Sequence, residues 1–317
     1  MKKFLLTALV LSNINGYVGL KYDGPKKTVL VFGGKTGWFG QIMIRVLQDL
    51  GHNAVAAESR VENRESIVKE LDRVKPDAVI NSAGITGDPK NILSNIDWCE
   101  DNKQHTFRVN IIGALNIADI CWQKGIHLTH VGTGCLYDYD EEHPKFANKG
   151  FTEEDEPNHD TSYYCRSKVY LEKLMFEPYG DNVLHLRIRM PVTHDWHKRN
   201  FICKIARYER VINEPNSLTM LEDLLPVAVD MTLRGMKGNY NFVNPGVITH
   251  NEILQLYKEI VDPKFTWKNF TIEEQDKILK ASRSNCELST DKLIKEYPLI
   301  PNVFDSVRAA LKDMRAE

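Results

Sequence analysis

Tyr164 and Lys168 stand four residues apart in Tyr164-Cys165-Arg166-Ser167-Lys168, near the start of a segment whose apolar spacing predicts a helix over 162–176. Residues at i and i+4 share one helix face, so the phenol and the ammonium point the same way. A neighbouring ammonium favours the phenolate and makes the tyrosine a usable proton donor and acceptor near neutrality. Moving a phenol from about 10 to about 7 takes roughly 4 kcal/mol, within reach of a cation and hydrogen bonds acting together. The same spacing also describes a surface tyrosine beside a solvated lysine. Thr133-Gly134-Cys135 follows a strand predicted over 126–131. If the chain stays extended there, residues 133 and 135 point to one side and offer a hydroxyl and a thiol to one pocket. For Cys135 a small buried hydrophobe is the commoner role.

A second kind of chemistry is written in Gly34-x-x-Gly37-x-x-Gly40, set between a predicted strand over 28–32 and a predicted helix over 41–50. Glycine reaches open backbone angles in a tight turn, and a bare Cα lets the backbone touch a pyrophosphate at a helix N-terminus. The alternative is a glycine-rich turn without a ligand. A dinucleotide fold for NAD places an acid on the ribose diol about 20 residues on. The next strand ends in Ala57-Glu58-Ser59-Arg60. Ser59 and Arg60 suit a 2′-phosphate and favour NADPH; Glu58 pulls toward NADH, and a solvated charged loop remains an option.

These residues need elements to hold them. Predicted strands at 28–32, 53–57, 78–81, 126–131 and 183–188 alternate with predicted helices at 41–50, 64–74, 107–122 and 162–176. That alternation predicts an α/β, Rossmann-type doubly wound parallel sheet covered on both faces. From Pro191 onward it is lost. We expect an extension over 1–27, an NAD(P)-binding domain over 28–190 and a smaller C-terminal α/β substrate-binding domain over 191–317, interleaved and built over the carboxyl edge of the sheet.

The chain has 317 residues, 42% of them apolar, and a net charge of −2 from 41 basic and 43 acidic side chains. Disorder and a polytopic membrane protein are excluded. A near-neutral balance gives no electrostatic case for nucleic acid or a membrane surface as partner, so an anionic ligand needs a local cluster. Six scattered cysteines without a CxxC predict free thiols in a reducing, cytoplasmic compartment. Lys2-Lys3 and the apolar run Phe4 to Leu11 resemble a secretory signal but lack a clean cleavage site, and read as an extension. The sequon at Asn269 matters only in a secreted chain. No metal site is expected: His127 and His130 fall on opposite faces of a strand, and His194 and His197 have only Asp195 beside them.

In this order and spacing, the motifs resemble the extended short-chain dehydrogenase/reductase family. Its triad maps to Thr133, Tyr164 and Lys168. Asn81-Ser82-Ala83-Gly84 resembles the family's strand-end motif by the adenosine, and Arg189-Met190-Pro191 its segment beside the nicotinamide. The likeness sharpens toward the bifunctional nucleotide-rhamnose synthases of plants and viruses. It runs through Gly34-Lys35-Thr36-Gly37-Trp38, Asp97-Trp98-Cys99-Glu100, Arg199-Asn200-Phe201-Ile202, Asn244-Pro245-Gly246 and Trp267-Lys268-Asn269-Phe270-Thr271, and covers about 28 to 310.

The resemblance implies NADPH, with NADH as the alternative, held by Gly34, Lys35, Thr36, Gly37, Trp38, Phe39 and Gly40. Ser59 and Arg60, Asn81, Ala83 and Gly84, and Pro191 would add to that site, beside Tyr164 and Lys168. It implies a UDP- or dTDP-4-keto-6-deoxyglucose substrate, epimerised at C3 and C5 by Cys135 with Lys204, then reduced at C4. His194 and His197 are rival partners for Cys135. Thr86, Asn200 and Arg283 are the expected substrate contacts, Arg283 for the diphosphate. Dehydratases of the superfamily carry Asp-Glu after the triad hydroxyl; Gly134 and Cys135 stand there instead, which argues against dehydration. A homodimer through the helices at 107–122 and 162–176 is implied. The competing readings are a 4-reductase alone and a non-catalytic NADP-binding regulatory subunit, of which the regulatory subunit of methionine adenosyltransferase is an example.

Overall fold

Six strands form one parallel sheet, and the burial of each follows its composition. In the computed structural model, which describes residues 19–316, β1 (Thr28–Phe32) is buried from Val29 to Phe32 and β3 (Ala78–Asn81) throughout, as apolar runs in a doubly covered sheet require. With β2 (Asn53–Ala56), β4 (His127–Thr133), β5 (Val183–Ile188) and β6 (Gly238–Asn241) the order is β2-β1-β3-β4-β5-β6. Every neighbouring pair is parallel. The chain leaves β1 for one side and returns to β3 on the other, so the carboxyl ends of β1 and β3 form the switch point where such sheets bind ligands.

Both faces are covered. The helices α2 (Arg64–Val74), α3 (Ala114–Gln123) and α4 (Tyr163–Tyr179) bury Ile67, Leu71, Ile117 and Leu171 against Leu30, Phe32 and Val79. On the other face α1 (Trp38–Asp49) and α6 (Leu221–Leu233) bury Ile42, Leu47, Leu224 and Val227 against Val29, Val31 and Ile80. The backbone N–H groups of Lys21 and Tyr22 donate to the buried Asp230 carboxylate of α6 at 2.7 and 2.5 Å, which docks the described part of the N-terminal extension. The signal-like run Phe4 to Leu11 lies outside the described residues. No helix among the described residues is long and apolar enough to cross a membrane.

Several boundaries differ from the sequence expectation. β4 runs on to Thr133, where it pairs in register with Ile188 of β5. The helix expected over 107–122 begins at Lys103 and passes through a π-helical turn, Arg108–Gly113, before α3. Asn110 pins that turn, accepting from Ile85 N at 2.7 Å and donating to Ile85 O at 3.0 Å. The second half of the chain also contributes α6 and β6 to the sheet. The remainder of that half has its own core of Val192, Ile202, Leu218, Ile253, Val307 and Leu311. Phe107, Ile112, Trp122, Tyr170 and Leu174 stay exposed on the helices from which a homodimer is expected.

Candidate active site

The glycine turn after β1 is built by close approach. Gly33, which the spacing rule passes over, holds the left-handed position at φ +82°, and a Cβ there would lie 2.7 Å from Ser82 Oγ. At Gly37 a Cβ would lie 2.6 Å from the Gly33 carbonyl oxygen, and at Gly40 it would fall on the same group. The open angle expected within Gly34, Gly37 and Gly40 is therefore absent from all three, which serve contact instead. The 12-residue α1 that follows has no side-chain cap and no acid in its first turn. Its free N–H groups and bare glycine cradle suit a pyrophosphate. Trp38 stacks on His197 at 5.1 Å and 4°, Phe39 is half-buried, and Lys35 and Thr36 are exposed.

The ribose end is organised by a residue that sequence reasoning missed. Glu70, on α2, accepts from Glu58 N at 2.9 Å and Ser59 N at 2.8 Å. Burial alone would raise its pKa, but these donors outweigh it and hold the carboxyl below its ordinary range. A glutamate on the apolar face of α2 was the only signal. Glu58 turns outward to Lys35 at 3.8 Å, and Arg60 is exposed beside Glu62. Ser59 Oγ donates to Ser66 O at 2.9 Å. After β3, Asn81 Oδ1 accepts from Ala83 N at 3.1 Å and shapes the turn. A Cβ on Gly84 would lie 3.5 Å from Asn110 Oδ1 and 3.7 Å from Lys168 Nζ, so this turn sits over the lysine. Thr86, two residues on, is exposed.

Thr133, Cys135 and Tyr164 share one corner between the end of β4 and the start of α4. Ser162 caps α4, accepting from Cys165 N, and so fixes where Tyr164 enters. Cys135 N donates to Thr133 Oγ1 at 3.1 Å. Tyr164 lies close enough to the Thr133 hydroxyl and the Cys135 thiol for both to affect its charge. Of the six cysteines, all free, only Cys135 is not buried.

Here the expected electrostatics change sign. Burial pushes the Tyr164 phenol up rather than down; Cys135 and Cys165 add to the rise, and Thr133 only partly opposes it. The tyrosine is thus held protonated. Burial lowers Lys168 to about 8, with Glu172 one turn further along resisting. Glu172 is itself paired with Arg187 at 2.7 Å.

A lowered lysine pKa means that the unfolded chain binds more protons between about 8 and 10.5, so stability rises with pH through that window. Below it, the buried ammonium costs about 3 kcal/mol. Lys168→Met is expected to be more stable than wild type at pH 7 by about 1–3 kcal/mol, and to lack that rise. Urea unfolding at pH 7 and 10 checks this; a destabilised variant would contradict it.

Lys204 lies in α5 (Phe201–Ile205), where burial and Arg199 push it below the ordinary lysine value. It makes no ion pair or side-chain hydrogen bond among the described residues. Asn200 is the cap of α5: it accepts from Ile202 N and donates to Thr193 O and Asp195 O, both at 2.8 Å. It is fully buried with its amide committed, so it positions Lys204 rather than lying open to a substrate. Pro191 O accepts from Phe201 N and joins this loop to the end of β5, next to Met190 at φ +35°. Both rival histidines are engaged elsewhere. His194 Nδ1 meets Asp313 at 2.6 Å, and His197, lowered by burial, accepts from Arg199 N. Arg283 is not the free cation expected for a diphosphate, because its guanidinium pairs with Asp97 at 2.9 Å. Among the described residues no group of three or more His, Cys, Asp or Glu is arranged to hold a metal.

Residues 27–227 match the RmlD substrate binding domain. A bifunctional dTDP-4-dehydrorhamnose 3,5-epimerase/dTDP-4-dehydrorhamnose reductase of Arabidopsis thaliana is 46% identical over 275 residues, which span 86% of this chain and 89% of that protein. The crystal structure of the L780 UDP-rhamnose synthase from Acanthamoeba polyphaga mimivirus superposes with a TM-score of 0.86 at 39% identity, covering 92% of this chain and 100% of that one. A dTDP-4-dehydrorhamnose reductase from Bacillus anthracis, solved in complex with NADP, shares the fold at a TM-score of 0.74 and 16% identity, over 91% and 98% of the two chains. With a cradle for a dinucleotide on one side of the switch point and a Thr-Tyr-Lys set on the other, the chain belongs to the RmlD substrate-binding-domain family within the extended short-chain dehydrogenase/reductases.

Proposed function

We propose that the protein is a bifunctional 3,5-epimerase/4-reductase that converts UDP- or dTDP-4-keto-6-deoxyglucose to the L-rhamnose nucleotide. The observation that carries this reading is the convergence of Cys135, Thr133 and Tyr164 on one corner. The C4 carbonyl of such a sugar acidifies the protons on C3 and C5. Cys135, as the thiolate, takes a proton from carbon; the electron pair moves into the carbonyl to give an enolate, held at O4 by Thr133 and the protonated Tyr164. Lys204 returns a proton to the opposite face, so each inversion is redox-neutral.

The glycine cradle would hold NADPH, with Ser59 and Arg60 available to its 2′-phosphate, and the cofactor would supply the hydride for C4. Tyr164 then gives its proton to O4. Lys168, beneath Gly84 and beside Asn110, orients the ribose and favours the phenolate that remains. The similarity to plant and viral rhamnose synthases supports this assignment, and the NADP complex of the Bacillus anthracis reductase supports the cofactor. The test is incubation of the purified chain with UDP-4-keto-6-deoxyglucose and NADPH, with the sugar identified by NMR. L-Rhamnose is expected. 6-Deoxyglucose or its C4 epimer would leave a reductase alone, and NADPH binding without turnover would leave a non-catalytic subunit.

A further inference from the structure

Arg189 follows β5 and is only 1% exposed, yet no carboxylate lies within ion-pair distance among the described residues. Its guanidinium is held by neutral acceptors. Nη1 donates to Gly134 O at 3.0 Å and Ser284 Oγ at 2.9 Å; Nη2 donates to Asn216 Oδ1 and, at 3.2 Å, to Ser284 O. Nε has no hydrogen-bond partner among the described residues. Its stem lies on the turn between Thr133 and Cys135: a Cβ on Gly134 would come within 3.1 Å of Arg189 Cγ. A buried charge held only by neutral dipoles is costly to maintain and keeps its field in a low-dielectric setting.

The groups facing this cation come from several elements. They are Cys135 on the turn, Asp138 and Tyr139 just after it, Cys165 on α4 and Cys286 from the C-terminal half. Asp138 is already engaged, with His159 on one oxygen and Asn285 N on the other. Burial raises the Cys286 thiol to about 11, and its Sγ points to Gly134 O at 3.7 Å. Cys165 is likewise raised to about 12. Cys135 is the remaining sulfur, and the one open to solvent.

We propose that Arg189 is a positioning residue of the epimerising half-reaction: it fixes the Gly134 carbonyl, and with it the approach of Cys135 Sγ, and sets beside that turn a buried cation with no ion-pair partner among the described residues. This rests on the reading of Cys135 as the acid–base group. A Cβ on Gly134 would meet Leu288 Cδ1 first, at 2.4 Å, and the arginine stem next, at 3.1 Å, so the turn is packed from both sides.

The test uses the full chain saturated with NADPH and compares the rates at which iodoacetate and iodoacetamide alkylate Cys135, located by mass spectrometry. A local cation favours the anionic reagent. The iodoacetate-to-iodoacetamide ratio is expected to exceed that of free cysteine by about tenfold, to fall to the free-cysteine value in Arg189→Gln, and to recover in Arg189→Lys. Exchange of the sugar C3 and C5 protons with solvent should fall with the ratio, at unchanged KM. A wild-type ratio at or below that of free cysteine overturns the proposal without any variant, so poor folding of Arg189→Gln does not protect it. An unchanged ratio in Arg189→Gln overturns it as well. Full exchange in Cys135→Ala beside a raised wild-type ratio would instead overturn the acid–base reading of Cys135, and with it the part of Arg189 in epimerisation.

Discussion

Replacing Tyr164 with Phe is expected to lower the rate of C4 reduction by about 10²–10⁴, the usual worth of a positioned proton donor. The phenol is buried and held protonated near the Thr133 hydroxyl, so its removal takes away the donor without opening the corner. Exchange of the C3 and C5 protons should fall far less, by about tenfold at most, because Thr133 still holds O4 and only one hydrogen bond to the enolate is lost. Steady-state NADPH oxidation and solvent-deuterium uptake, measured on the same preparation, check both limbs. Equal losses in the two would contradict the division of labour.

Cys135→Ala is expected to do the reverse. Exchange at C3 and C5 should drop by about 10²–10⁴, while an already epimerised 4-keto-L-rhamnose nucleotide is still reduced. The other five thiols are buried, so none is placed to substitute. Burial holds Cys165, the one on the neighbouring helix turn, at about 12, too weak an acid to supply a thiolate near neutrality. Proton NMR in deuterated solvent reads the exchange directly, and undiminished exchange in the variant would remove Cys135 from the mechanism.

The parts of this site that were legible in the sequence are those carried by short-range spacing. Tyr164 and Lys168 sit one turn apart whatever the fold, and the strand–glycine–helix order fixes the cradle. The sheet order to β5 likewise follows from alternation. What spacing hides is contact between distant segments. Glu70 closes on Ser59 from the next helix, Arg189 reaches back to Gly134 over 55 residues, and β6 joins β5 after a long excursion. Gly33 holds the left-handed position, and Ser82, just after β3, leaves no room there for a Cβ. The direction of the Tyr164 shift is hidden for the same reason: the sequence displays the lysine beside the phenol, whereas burial, which dominates, comes from the packed sheet and helices around it.

The central claim is that a thiol and a phenol act in turn on one sugar carbonyl. It is tested most directly by turnover of UDP-4-keto-6-deoxyglucose with NADPH in deuterated water, followed by NMR of the product. The account predicts an L-rhamnose nucleotide with deuterium at C3 and C5 and protium at C4. A reduced sugar that retains protium at C3 and C5 would contradict it.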